Sequence, residues 1–523
     1  MERFLGIELG STRIKACLID GHGIVIETGV YEWENSYING IWTYDLHEAL
    51  HGVASSFHEL NRKIFLKEKK YITDLSAIGI SGMMHGYLAL DEDGQLLSPF
   101  RTWRNTTTKE VSEELSDLFD FNIPQRWSIA HLFQELKNQS PHLPKIKYIT
   151  TLSGYIHYKL TGEKVLGIGD AVGMFPVDYN TSKYDEKKIA QFNNLPLMQS
   201  CPWRIEEILP KILLAGDYAG TLTKEGAKIL DLDGHLQPGI PFCPPEGDAA
   251  TGLVSTNTVV ANTGNISVGT SIFMNLNLKE SFQTRYPFVD MVATPSGLPV
   301  AMVHCNNGTS ELDQWMDLFG EIQALINPAY SKTDLYQMAF HSALDPSASI
   351  EDSLVYNYLS GEHITDIQVG APMILRKAGK KLKLADFMKL QLFSIFSTLT
   401  YGYRLLNSQE GVQIHALTAH GGVFLTPVVM QKILASALRM PIDIAKNAGE
   451  GGAYGIAVLS AYFYYKKEYL SLEDFLAKNI FHQSDFIRQN PDQNISDEYD
   501  KYLLMFIKGL GLEKQAQALF SKD

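Results

Sequence analysis

Phe4-Leu5-Gly6-Ile7-Glu8-Leu9-Gly10-Ser11-Thr12-Arg13-Ile14-Lys15 reads as an apolar strand, a tight polar turn and a returning strand. A strand that turns on glycine and pairs with its successor opens an antiparallel hairpin. The run Asp20-Gly21-His22-Gly23 punctuates the next pair, 16–19 and 24–28. Asp45 then reads as the N-cap of a helix over 46–61, with Leu46, Leu50, Val53, Phe57 and Leu60 on one face. A buried strand follows, Ile78-Gly79-Ile80, ending in the loop Ser81-Gly82-Met83-Met84-His85-Gly86. Leu88-Ala89-Leu90 runs to a turn at 91–94, and residues 109–160 read as mainly helical, closed by Thr161-Gly162. Hairpins followed by helical crossovers predict an α/β fold with a mixed sheet.

The length of 523 residues exceeds one ordinary core, so two domains are expected. A hydrophobic share of 45% with 20% charged residues is that of a soluble globular chain. A net charge of -14 argues against nucleic acid or an anionic membrane as the main partner. Cys17, Cys201, Cys243 and Cys305 lie far apart without a CxxC pair, so a reducing cytoplasm is expected rather than a disulfide scaffold or a Cys-rich metal site. The chain opens directly into a strand with no leader pattern, and no apolar run reaches the ~20 residues of a bilayer span. Beyond residue 255 strands begin again, at 258–262, 266–267 and 272–275, followed by amphipathic helices at 384–406, 426–438 and 451–467. Halves that start alike predict a duplicated α/β unit. The division is placed at 1–254 and 255–523, with the two domains packed together and hinged.

Gly10-Ser11-Thr12 offers backbone N–H groups and two hydroxyls to an anion, with Arg13 and Lys15 close by. Taken alone, an ordinary hairpin is the stronger reading, and Gly269-Thr270-Ser271 carries the same ambiguity. Their recurrence at the start of each half shifts the balance toward a phosphate clamp. Between them stands Asp248, in Pro244-Pro245-Glu246-Gly247-Asp248, a loop acid placed to serve as base in phosphoryl transfer. No G-x-x-x-x-G-K-[ST] occurs, and no G-x-G-x-x-G opens a helix, which excludes a P-loop and counts against a Rossmann site. Gly421-Gly422, after a strand over 414–419, either lets adenine or ribose approach closely or simply turns the chain. Glu450-Gly451-Gly452-Ala453 starts a small-residue helix that tight packing explains as well as ligand contact does. Met84-His85 follows a buried strand, where ligands meet the sheet in α/β proteins. A loop histidine in water is an equal reading there. His47-Glu48-Ala49-Leu50-His51 matches H-E-x-x-H. The helix's apolar face competes with a metal face and no third ligand is near, so a chance match on a surface helix is the better reading.

In their order along nearly the whole chain, these motifs resemble the FGGY carbohydrate kinases. Gly6-Ile7-Glu8-Leu9-Gly10-Ser11 is similar to the family's opening Gly-Ile-Asp-x-Gly-Thr. The loop from Ser81 to Gly86 is similar to the pentulose-kinase Ser-Gly-Gln-Met-His-Gly. Leu160-Thr161-Gly162, Asp170-Ala171-Val172-Gly173, the Gly247-Asp248 base loop, Gly269-Thr270-Ser271, Tyr358-Leu359-Ser360-Gly361-Glu362 and His420-Gly421-Gly422 follow in family order. Three places depart from the pattern. Glu8 stands for Asp, Trp103-Arg104-Asn105 for Trp-Asn-Asp, and Arg126-Trp127-Ser128-Ile129-Ala130-His131 for the first signature.

The resemblance implies two actin-like (ribonuclease H-like) α/β domains, with ATP and Mg²⁺ as cofactors. It implies Asp248 as base and sugar ligand, with Met84, His85 and Trp103 also at the sugar. Gly10, Ser11, Thr12, Lys15, Gly269, Thr270, Gly421 and Gly422 would serve the nucleotide, and Glu8 would face Mg²⁺. The implied reaction phosphorylates a ketopentose, D-xylulose before L-ribulose. Glycerol is disfavoured, because glycerol kinases carry Arg-Glu in place of Met84-His85. The implied partners are a small-molecule sugar and ATP, without nucleic acid or membrane, and a homodimer is left open. A non-catalytic sugar or nucleotide sensor of the same fold is the rival reading.

Overall fold

The computed structural model describes residues 2–327, 329–379, 381–426, 428–445, 451–482 and 486–519. β1 (Arg3–Leu9), β2 (Arg13–Asp20) and β3 (Val25–Glu32) form the antiparallel meander that the opening sequence predicts. Helix α1 (Leu46–Glu68) covers β2 and β3, and the Asp45 carboxylate accepts the His47 N–H at 2.7 Å. It runs past the expected end at 61 because Arg62-Lys63-Ile64-Phe65-Leu66-Lys67-Glu68 keeps good helix formers, with Ile64 on the buried face. Lys69, in the left-handed region, stops it.

β4 (Ala77–Gly82) is buried along its length and joins β1 in parallel. Helices α2 (Lys109–Phe119), α3 (Ser128–Lys137) and α4 (Leu152–Thr161) occupy most of the stretch expected to be helical, but Tyr148–Thr150 between them is a strand paired with Leu88–Leu90; Gly162 caps α4 at φ 82°. β5 (Glu246–Gly247) adds to β4 in parallel, giving the sheet order β5-β4-β1-β2-β3. From β5 the chain enters helix α5 (Asp248–Ser255) and crosses to the second half.

The second sheet contains β6 (Thr263–Val268), β7 (Ile272–Asn277), β8 (Val289–Ala293) and β9 (Pro299–Cys305). After helix α6 (Leu384–Glu410) come β10 (Ala416–His420), helix α7 (Val429–Leu438) and β11 (Ile442–Ala445). Helix α8 (Gly451–Tyr465), β12 (Phe486–Gln489) and helix α9 (Gln493–Ala518) complete the chain order. The sheet order is β8-β9-β7-β6-β10-β11-β12. β6 is antiparallel to β7 and parallel to β10, as β1 is antiparallel to β2 and parallel to β4. The duplication read from the sequence is therefore a repeated strand pairing. The strand expected at 258–262 is turn and bend instead: the Thr258 N–H bonds the Leu253 carbonyl, and Asn262 takes φ 64°, so β6 begins at Thr263, although the Asn262 N–H already bonds the Asn277 carbonyl.

Helix α8 belongs by sequence to the second half but packs on β1, β2 and β4 of the first sheet and alongside α5. Glycines permit this approach. A Cβ on Gly6 would collide with the Ala453 carbonyl, and one on Gly79 would meet the Ile456 side chain at 2.6 Å. Glu450, expected just before this helix, lies outside the described residues.

Candidate active site

The parallel strands β1, β4 and β5 end at one edge, so three loops meet there. In α/β sheets this carboxyl-end edge is where ligands bind. From β5 comes Asp248, the first residue of α5, exposed to solvent yet ringed by protein on its remaining sides. The Met84 N–H, from the loop after β4, points to Asp248 Oδ1 at 3.4 Å. Desolvation holds the Asp248 carboxyl above the usual carboxylate range, while the Met84 and Ala249 N–H groups and the Arg126 charge pull it back. An exposed carboxylate made more basic by its surroundings is suited to accepting a proton from a bound hydroxyl.

Glu8, next to last on β1, is half-buried, and its Oε2 accepts the Ala453 N–H at 3.1 Å, capping the first turn of α8. Burial first, and then the Asp248 charge, push it up to about 7, against the pull of the Ala453 N–H and of Lys15. Lys15 stands opposite Glu8 in the β1–β2 register. Two carboxyls that repel one another form a donor pair that a hydrated Mg²⁺ with phosphate oxygens would relieve, since that ion keeps most of its water. Among the described residues no group of three His, Cys, Asp or Glu is placed to hold a metal ion. Glu8 and Asp248 thus fit a metal that phosphate and water complete.

His85 is not a loop histidine in water. It is buried at φ 70°, its ring stacks over Trp127 at 6.3 Å, and its Nδ1 lies 3.5 Å from the Gly173 carbonyl. Burial, and then the Arg126 charge, hold it well below the usual imidazole value, so it is neutral. The Met84 side chain is packed against Gly247, leaving its N–H as the group that addresses Asp248. Trp103 is exposed, and the Arg104 guanidinium lies over both Trp103 (5.2 Å) and Trp42 (5.4 Å). Asn105 fixes this loop by exchanging two hydrogen bonds with the Trp42 backbone, at 2.8 and 2.9 Å. His131 is buried beside Tyr87 and takes no part in the edge.

The turn Gly10-Ser11-Thr12 joins β1 to β2 at the same edge, and its carbonyls are all engaged by the protein. Trp33 Nε1 donates to Gly10 (2.8 Å), Tyr44 OH to Ser11 (2.7 Å) and the Trp33 N–H to Thr12 (3.2 Å). The matching turn of the second sheet, Gly269-Thr270-Ser271, follows β6, and Thr270 is exposed. Gly421 ends the neighbouring β10 at φ 129°, and a Cβ there would collide with the Val268 carbonyl. A Cβ on Gly422 would meet nothing within 4 Å, so backbone there is open to a flat ligand. The strand-end candidates thus gather at each sheet's carboxyl edge: Glu8, Gly10, Met84, His85 and Asp248 at the first, Gly269, Thr270, Gly421 and Gly422 at the second.

Arg126 ties the first group to the second lobe. It forms an ion pair with Asp290 of β8, and its charge acts on Asp248, on His85 and on His304 at the end of β9. Sequence reading assigned it no role; a cation inside an altered family signature was the available signal. Two buried acids under the base loop were also missed. Asp170 accepts hydrogen bonds from Thr151 (2.6 Å) and Ser153, and Glu246 lies against Gly167 and Gly169. The H-E-x-x-H histidines are exposed, and His51 Nε2 lies 3.3 Å from Ser55 Oγ. A cavity of about 360 Å³ at the opposite, amino-terminal end of β6, beside Asn262 and Glu410, contains none of the candidate residues.

Two α/β lobes with repeated strand pairing, each presenting a glycine turn at its carboxyl edge, define an actin-like fold. Residues 3–255 match the N-terminal domain of the FGGY family of carbohydrate kinases and residues 264–464 match its C-terminal domain, so the chain belongs to that family. It is 22% identical to the xylulose kinase of Staphylococcus xylosus over 45% of this chain and 48% of that protein, so this match spans about half the relative's length. It is also 22% identical to a xylulose kinase of Staphylococcus epidermidis over 88% of each chain. The crystal structure of a protein titled xyloylose kinase from Brucella ovis superposes with TM-score 0.80 at 19% identity, over 99% of this chain and all of the other, which establishes the shared fold.

Proposed function

We propose that the protein transfers the γ-phosphoryl group of ATP to a hydroxyl of a ketopentose, D-xylulose first and L-ribulose second. The observation that carries this reading is Asp248: an exposed carboxylate of raised basicity, at the edge where three loops converge and one carboxyl from Glu8. Asp248 accepts the proton of the attacking sugar hydroxyl, a contribution of typically ~10²–10⁴-fold. Positioning and charge neutralisation carry the larger share, because phosphoryl transfer asks little covalent help. Mg²⁺, when bound, supplies charge neutralisation at the phosphates. Glu8 would orient it, while Gly10, Ser11, Thr12 and Lys15 on one lobe and Gly269 and Thr270 on the other hold the phosphates. Gly421 and Gly422 take the adenosine side. His85 and Trp103 flank the sugar, and Met84 steadies Asp248 through its N–H.

The same proposal gives residues 1–254 to sugar and phosphate and 255–523 to the nucleotide, with α8 reaching back to the first lobe. The names of the relatives support a xylulose-type substrate. Four free cysteines and the lack, among the described residues, of a helix long and apolar enough to cross a membrane support a cytoplasmic setting.

The test is a panel of D-xylulose, L-ribulose, glycerol, L-fuculose, L-rhamnulose and gluconate with Mg-ATP, read by ADP release and sugar phosphate. Turnover of a ketopentose above the rest is expected. A panel without ketopentose turnover contradicts the assignment, and sugar binding without any turnover favours the sensor.

A further inference from the structure

Glu362 is fully buried and touches none of the candidate site residues directly. Its Oε2 accepts the N–H groups of Asn306 (2.9 Å) and Asn307 (3.3 Å) and the Asn307 side-chain amide (3.2 Å), all on the loop after β9. Hydrogen bonds to a carboxylate are about twice as strong as neutral ones. The next two residues of that loop hold the hairpin. Gly308 N–H donates to the Thr270 carbonyl at 2.8 Å and Thr309 N–H to the Gly269 carbonyl at 2.9 Å. The contact is too tight for a side chain, because a Cβ on Gly308 would collide with the Gly269 carbonyl. A second tie reaches the same loop from the far side: buried Asn357 donates its side-chain amide to the Gly308 carbonyl at 2.9 Å.

We propose that Glu362 is a positioning residue, holding the Gly269-Thr270 hairpin in the geometry that receives the nucleotide's terminal phosphates. This rests on the reading of that hairpin as a phosphate clamp. With both hairpin carbonyls turned into the protein by Gly308 and Thr309, the turn is fixed from behind while Thr270 stays exposed in front. A rigid turn binds phosphate without losing freedom at that moment. Glu362 acts on the hairpin through the 306–309 loop and meets no ligand itself.

The test uses calorimetric titration of the full-length protein with Mg²⁺ and AMP-PNP, and separately with AMP. Burial pushes Glu362 up to about 7, so the titrations are run above that pH, where Glu362→Gln keeps the side chain's shape and removes its charge. Its affinity for AMP-PNP should fall roughly ten-fold while its affinity for AMP stays unchanged. A merely structural role would weaken both or neither, and either result overturns the proposal. Absence of nucleotide affinity in the unaltered protein also overturns it. If Glu362→Gln does not fold, Asn357→Ala is read the same way and must show the same selective loss. A selective loss in a protein that phosphorylates no sugar upholds the positioning role and rejects the proposed substrate instead.

Discussion

At the residue scale, the chemistry turns on carboxyls whose surroundings set their charge. Asp248 must be unprotonated to act as base, and its pKa lies above the ordinary carboxylate value. The kcat/KM for sugar should therefore rise with pH along an acid limb displaced above that value. Arg126 lowers the Asp248 pKa, so Arg126→Ala should move this limb to higher pH; an unmoved limb in a pH–rate profile contradicts the coupling. Asp170 gives a stability signature. Burial, opposed by the Ser153 and Thr151 hydroxyls, raises it from 3.8 to about 7. A carboxyl raised by folding favours the folded state when protonated. Its contribution is complete below its unfolded pKa near 4 and is lost as pH climbs through about 7. Asp170→Asn should show a flatter dependence of unfolding free energy over that window, measured by urea denaturation; an unchanged slope would mean the carboxyl is not raised. The acid at 248 was legible in the sequence because Pro-Pro-Glu-Gly breaks the chain before it, although Asp248 opens helix α5 rather than standing in a loop. The neutral state of His85 was not, since burial by Trp127 and Gly173 comes from residues far along the chain.

At the element scale, the strand pairing was legible from the turns and the packing was not. Gly10 and Gly269 mark the two hairpins because tight turns select glycine. The run 258–262 looked like a strand by composition, but the Thr258 N–H is committed to the turn that ends α5, and Asn262 at φ 64° bends the chain just before β6. The extension of α1 past 61 reflects helix formers that carry no boundary signal. The placement of α8 on the first sheet was hidden, because small residues announce close packing without naming the partner. Gly6 now names it. Gly6→Ala would drive a Cβ into the Ala453 carbonyl, a backbone atom that cannot rotate away. Overpacking of this kind costs roughly 1–3 kcal/mol, and the upper end is expected here. Thermal unfolding measures it, and a wild-type Tm would show that strand and helix separate easily.

At the scale of the whole molecule, two lobes share the same strand pairing, and Arg126 of one reaches Asp290 of the other. Asn122 adds a side-chain bond to the same carboxylate at 3.1 Å. Both charged partners are mostly buried, so removing one leaves the other unpaired. A double-mutant cycle with Arg126→Ala and Asp290→Ala should give a coupling of at least ~1 kcal/mol in unfolding free energy. Additive losses would place no direct tie across the lobes. If Asp248 is the base for a sugar hydroxyl, Asp248→Asn must lose turnover while keeping sugar binding. Turnover of the preferred ketopentose with Mg-ATP and its binding by calorimetry are measured on the same preparation. A fall in kcat of ~10²-fold or more, with sugar affinity kept within a few-fold, is expected. Wild-type kcat in Asp248→Asn would contradict that role.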